Sequence, residues 1–149
     1  MNDYLKFYKI VYWYTKKMYS LSSPDLDILL FLYSERYFSE EKFREYSNIF
    51  AYNFNVKTMM AKGFIMMYAK RQSGNHIYQL TPHSIKIIQF VYRTLEGKPI
   101  SMRSITAKWL NRKKTPEIEK KYMQKIMLMN KYIKDRRKNP DKYYTPPIT

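Results

Sequence analysis

The sequence predicts a mainly α-helical fold carrying one small β-hairpin, and three observations predict it. Between residues 53 and 82 the apolar pattern changes from three-and-four spacing to strand alternation and then to a helix start. Helix-start signals, a hydroxyl followed by proline or acid, stand at Ser22-Ser23-Pro24-Asp25, Ser39-Glu40-Glu41, Thr81-Pro82 and Thr115-Pro116-Glu117. Only three glycines occur in the chain, and Gly63 and Gly97 each stand just past an apolar-periodic run, where a helix stops.

Taken in order, residues 4–19 read as a helix on which Leu5, Tyr8, Tyr12, Thr15 and Tyr19 share a face, with Lys6 and Lys17 away from it. So aromatic a segment is expected to pack on another helix, of its own chain or of a second copy. The second helix opens at Ser22-Ser23-Pro24, with Asp25 and Asp27 near the positive end of its dipole. Ile28, Leu29, Phe31 and Leu32 make it a buried helix. Ser39 caps the third, whose Phe43, Tyr46 or Ser47, and Phe50 are expected to face inward. The linker Asn48-Ile49-Phe50-Ala51-Tyr52, which has no glycine, leads to a short helix on which Val56, Met59 and Met60 share a face.

Residues 64–69 and 77–80 read as two strands joined by the basic turn Lys70-Arg71-Gln72-Ser73-Gly74-Asn75-His76. Thr81-Pro82 starts a helix that runs to Leu95, with Ile85, Ile88, Phe90 or Val91, Tyr92 and Leu95 as apolar positions. Gly97 and Pro99 end it and mark the boundary between a first domain, residues 1–97, and a basic helical extension, residues 98–149. In that extension Met102, Ile105 and Trp109 recur at helical spacing. After Arg112-Lys113-Lys114, a long helix carries the stripe Ile118, Tyr122, Ile126, Met129 and Ile133. Tyr143-Tyr144-Thr145-Pro146-Pro147 reads as an extended tail.

Helix, hairpin and helix in this order form the core of a winged helix-turn-helix, with residues 70–76 as the wing tip. Gly63-Phe64-Ile65 and Leu80-Thr81-Pro82-His83-Ser84 give residues 21–97 a phrasing that resembles the MarR-type (multiple-antibiotic-resistance regulator) winged-helix family. There a recognition helix ends in a Gly-Leu-Val-like step, and the wing closes on a Leu-Thr-x-x-Gly-like helix start. The resemblance implies a dimeric DNA-binding transcription regulator whose first helix joins the C-terminal helices in the dimer interface. The sequence departs from the family at Arg44, where a small residue commonly sits at a helix crossing. It departs also at the glycine-free turn and in a wing that carries no acid.

Charge points the same way. Twenty-eight basic against 12 acidic residues leave a net charge of +16. Residues 1–97 hold 13 basic and 8 acidic residues (net +5), and residues 98–149 hold 15 and 4 (net +11). A block this basic is the electrostatic footprint of a polyanion partner, most often nucleic acid. The absence of cysteine excludes disulfides and thiol nucleophiles. No leader is read at the start, and no apolar run reaches the length of a membrane-spanning helix, so the expected compartment is the cytoplasm, or the virion if the chain is a module of a virus particle.

The candidate DNA contacts follow from exposure on the short helix and the wing. With Tyr52, Val56 and Met59 inward, Asn53, Lys57 and Thr58 point outward, where asparagine suits adenine and lysine a phosphate or base. Lys70, Arg71, Asn75 and His76 surround the wing tip and suit phosphate or minor-groove contact. Arg112, Lys113 and Lys114 extend the footprint. The partner-binding candidates are Phe54, Trp109, Ile118, Tyr122, Ile126, Met129 and Ile133, from which a homodimer is expected.

Catalysis finds no support: His76 and His83 lack triad-like spacing to a nucleophile and a carboxylate, and neither metal-ligand spacing nor a glycine-rich phosphate loop occurs. A non-enzyme without metal or cofactor is expected, acting on double-stranded DNA chiefly through phosphates. The alternative is an interaction module within a larger assembly such as a virus or phage particle, which Phe54 and the tyrosine-rich tail favour. A membrane-surface role ranks last, because the long stripe lacks Trp, Phe and Leu.

Overall fold

A computed structural model of the chain describes residues 5–49, 55–101 and 117–139. Six helices and three strands are described: α1 (Tyr8–Tyr19), α2 (Ser23–Leu32), β1 (Phe38–Ser39), α3 (Glu40–Ile49), α4 (Val56–Ala61), β2 (Ile65–Ala69), β3 (Ile77–Leu80), α5 (Pro82–Leu95) and α6 (Glu117–Lys138). The strands form one antiparallel sheet in the order β1-β3-β2. A mainly helical core with a small hairpin wing is therefore the fold, and the strand β1 is an addition that two residues without alternation do not announce.

The chain divides into two compact units, one of residues 15–91 and one of residues 1–14 with 92–149. The sequence boundary after Gly97 differs from this division, which falls inside α1 and α5.

In the 15–91 unit, local chemistry fixes each element. Ser22 caps α2 by a capping box: its hydroxyl accepts the Asp25 N–H and the Asp25 carboxylate accepts the Ser22 N–H, both at 3.2 Å. Leu26, Ile28, Leu29 and Leu32 are buried, whereas Phe31 is partly exposed and packs edge-on to Tyr46 at 4.5 Å between ring centroids. The Ser39 hydroxyl accepts the Lys42 N–H at 3.2 Å and so caps α3. Phe43, Tyr46 and Ser47 are its buried residues. Arg44 is exposed and pairs with Glu40 at 3.2 Å.

The α4 helix begins at Val56, capped by Asn55, whose side chain accepts the Thr58 N–H at 2.7 Å. Its buried face is Val56 and Met59, while Met60, expected beside them, is exposed. Gly63, at φ +78°, then turns the chain out of the helix. Its N–H reaches the Met60 carbonyl, the Phe64 N–H reaches the Met59 carbonyl, each at 3.0 Å, and Phe64 and Met59 are both buried. This is the glycine-centred helix stop that the sequence implies.

On the sheet, Ile65 pairs Leu80 and Phe38 pairs Tyr78, and all four are buried. On α5 the buried positions are Ser84, Ile87, Ile88, Val91 and Thr94; Tyr92, read as apolar-facing, is exposed. On α1 Thr15 is buried as expected, but Val11 and Tyr14 are buried with it and Tyr8 is exposed.

In the other unit, Gly97 at φ +112° ends α5 through the same double bond pattern, from the Gly97 N–H to Thr94 and from the Lys98 N–H to Arg93. The α6 helix buries Met123, Ile126, Met129, Asn130 and Ile133. Asn130 clasps the backbone of Ile100 twice, its Oδ1 accepting the N–H at 2.9 Å and its Nδ2 donating to the carbonyl at 2.8 Å. Trp13 stacks on Tyr122 at 4.5 Å with planes 5° apart. Among the described residues no helix is long and apolar enough to cross a membrane.

Candidate nucleic-acid interface

The wing unit is held in place by directional bonds at three points. At the first, Lys62 at the end of α4 donates to the buried carboxylate of Asp25 at 3.2 Å, tying that helix to the start of α2. At the second, the Phe64 carbonyl that leads into β2 accepts from the buried Ser84 hydroxyl at 2.7 Å and from the Thr81 N–H at 3.1 Å. The Thr81 hydroxyl donates to the Gly63 carbonyl at 2.7 Å. The Leu80-Thr81-Pro82-His83-Ser84 run is thus both a helix cap and the clamp that fixes the base of the hairpin.

At the third, Glu35 accepts from the Tyr46 hydroxyl at 2.6 Å and from Lys42 at 3.0 Å. The Tyr46 hydrogen bond, followed by the Lys42 hydrogen bond, holds the Glu35 carboxyl below the usual carboxylate range. The bond to Glu35 raises Lys42, and burial, with Glu35 second, raises Tyr46.

On this frame the predicted contacts fall as follows. Lys57 and Thr58 are exposed on α4, as expected. Lys70 and Arg71 are exposed at the start of the wing. Asn75 is half-buried. His76 is half-buried too, and its Nδ1 accepts the Arg71 N–H at 2.9 Å, so one ring nitrogen is engaged in closing the wing rather than facing outward. Gly74 at φ +84° closes the turn with its N–H on the Arg71 carbonyl at 3.2 Å. Asn53, Phe54, Trp109, Arg112, Lys113 and Lys114 lie outside the described residues, as do Tyr52 and Phe50.

The partner stripe is corrected. Ile126, Met129 and Ile133 are fully buried by their own chain, and Tyr122 is half-buried against Trp13, so these four are core rather than an open face. Ile118, the remaining residue of that stripe, is 63% exposed. The exposed apolar residues of α6 are instead Ile118, Met127 and Leu128.

Two features escaped the sequence reading. The first was legible: residues 46–95 contain six basic residues and no acidic one, so every formal charge from α4 through the wing to α5 is positive. The acids of this unit all come before it, at Asp25, Asp27, Glu35, Glu40, Glu41 and Glu45. The second was not legible. Tyr37 and Tyr68 meet with ring centroids 4.2 Å apart, and the Arg36 guanidinium lies 5.6 Å from the Tyr37 ring. Tyr37 leads into β1 and Tyr68 sits in β2, so only the sheet order brings them together.

Among the described residues no group of acids and histidines is arranged to hold a metal ion. Compared with protein-family models, with curated proteins and with solved structures, the chain finds no match.

Proposed function

We propose that this chain is a winged-helix DNA-binding protein that engages the duplex mainly through phosphates and serves as a MarR-like transcription regulator. The observation that carries the reading is the carboxylate-free stretch from α4 to α5, which exposes Lys57 and Thr58 on one element and Lys70 and Arg71 on the next. Both elements are anchored to the unit's core by the Asp25–Lys62 pair and by the Thr81 and Ser84 hydroxyls. Side chains fixed in this way can match the spacing of backbone phosphates, whereas a loose cationic face gives only unspecific attraction.

The α4 helix has no arginine, so readout of guanine is weak and sequence discrimination is modest. On this reading the protein works by binding rather than by catalysis. The DNA reading implies the cytoplasm.

The test is fluorescence anisotropy of the whole chain with a labelled random duplex, read from low to physiological salt. Each phosphate contact contributes roughly 0.9 to the slope of log K against log salt. Replacing Lys70 and Arg71 together by glutamine is expected to weaken binding about uniformly across sequences and to lower that slope by roughly 2. Absence of binding at low salt, or tight binding indifferent to salt, overturns the proposal. The reading as a module of a larger assembly rests on Ile118, Met127 and Leu128, exposed beside the lysines of α6, and gains if no duplex binds.

A further inference from the structure

The wing face carries a second feature that the phosphate-binding reading leaves unused. Two backbone irregularities converge on the exposed rings of Tyr37 and Tyr68. On β2 the pairing with β3 jumps from Met67, opposite Tyr78, to Ala69, opposite Ile77, so Tyr68 is the extra residue of a bulge. Bulges re-aim a side chain and cluster beside functional sites. On the other edge, Arg36 adopts φ +30°, a region an arginine rarely occupies and one held only where surrounding structure insists on it. Because β3 lies between β1 and β2, the rings meet only by reaching across the central strand.

The resulting pair stays open to solvent, with Tyr37 40% and Tyr68 55% exposed. Beside it lies a cleft of about 540 Å³ lined by Arg36, Tyr37 and Gln79 over an apolar floor that includes Leu80 and Ile85. Its space accommodates a nucleobase with its sugar. Gln79 brings both a donor and an acceptor to the edge of such a base, and Arg36 brings a cation to the adjoining phosphate or ring. Only Ala69 separates Tyr68 from Lys70 and Arg71, so the aromatic surface leads into the cationic wing. Stacking rings beside phosphate-binding cations are the recognition chemistry of single-stranded nucleic acid.

We infer that Tyr37 and Tyr68, with Arg36 and Gln79 at the adjoining cleft, form a stacking site for an unpaired base. The protein therefore prefers DNA with a locally opened or unpaired segment over a continuous duplex. This rests on the DNA-binding reading and narrows its ligand class. A fully stacked duplex offers no free ring face to the two tyrosines, while an opened one does.

The experiment uses the whole chain and one duplex sequence, either fully paired or carrying a short internal bubble of thymines, with anisotropy read at one salt concentration. The bubble is expected to bind about tenfold more tightly, the scale of one base–aromatic stack. The double variant Tyr37→Leu and Tyr68→Leu is expected to lose that preference and keep its affinity for the paired duplex. The double variant Tyr37→Phe and Tyr68→Phe, which retains both rings, is expected to keep the preference. Circular dichroism melting establishes that each variant is folded. Equal affinity for both DNAs in the unmodified protein overturns the stacking site and leaves the duplex-binding proposal standing. A preference that survives the leucine variant overturns it as well. Binding to neither DNA overturns both readings.

Discussion

The wing and α6 are both basic, yet they are fixed by different forces. The wing's base is held by hydrogen bonds and an ion pair with set directions: Ser84 and Thr81 on Phe64 and Gly63, and Lys62 on Asp25. The α6 helix is held chiefly by a buried stripe of Met123, Ile126, Met129 and Ile133, a non-directional hold to which Asn130 on Ile100 and Arg137 on the Gly97 carbonyl add polar ties. Directional bonds determine an angle, and a surface that must match regularly spaced phosphates needs one. Burial determines only which face is inside, and it leaves the lysines of α6 distributed over the rest. High charge density alone therefore does not mark the better site.

The contrast is sharpest on α6 itself. Ile126→Ala is expected to cost about 2–5 kcal/mol in urea denaturation, and Leu128→Ala, at an exposed position, within about 0.5 kcal/mol. Equal costs would mean that no single stripe holds the helix. Asn130→Ala leaves the Ile100 N–H and carbonyl without their partner and is expected to cost about 1–3 kcal/mol, read in the same way. A negligible cost would remove this clasp from the comparison.

On the wing side, Gly63→Ala meets no atom within 4 Å of the new Cβ, so its cost isolates the left-handed backbone at φ +78°. About 1–2 kcal/mol is expected by thermal unfolding. The smallest effect concerns acid. Glu35 is lowered in the folded state, so its contribution is complete above the ordinary carboxylate range and is lost as pH falls through its depressed value. Glu35→Gln is expected to flatten that acid limb of the stability profile while leaving the neutral range nearly parallel to the unmodified protein.

Legibility followed the range of the interactions. Caps and stops are local, so Ser22 with Asp25, Thr81 with Ser84, and Gly63 with Phe64 were readable from spacing and recur as bonds. The hairpin was readable because residues 65–69 and 77–80 flank turn chemistry. Faces were harder. Aromatic residues stand all round α1, so periodicity could not separate the buried Val11 and Tyr14 from the exposed Tyr8. The stripe on α6 was found, but whether its own chain or a second one covers it depends on tertiary packing that spacing does not encode. Arg44, which departs from the family pattern, is exposed and pairs with Glu40 four residues earlier, a contact whose spacing is local. The Tyr37–Tyr68 pair depends on strand order, and no local pattern carries that.

The bulge at Tyr68 has a colloidal consequence as well. Among the described residues β2 is an outer strand, and such an edge is the usual template for recruiting a strand from another molecule. Its regular ladder covers Ile65, Met66 and Met67 before the bulge breaks the register, and Lys70 then adds charge just beyond its end. An edge this short and this bent is a poor seed for strand-by-strand growth, so a methionine-rich strand can face solvent without inviting aggregation.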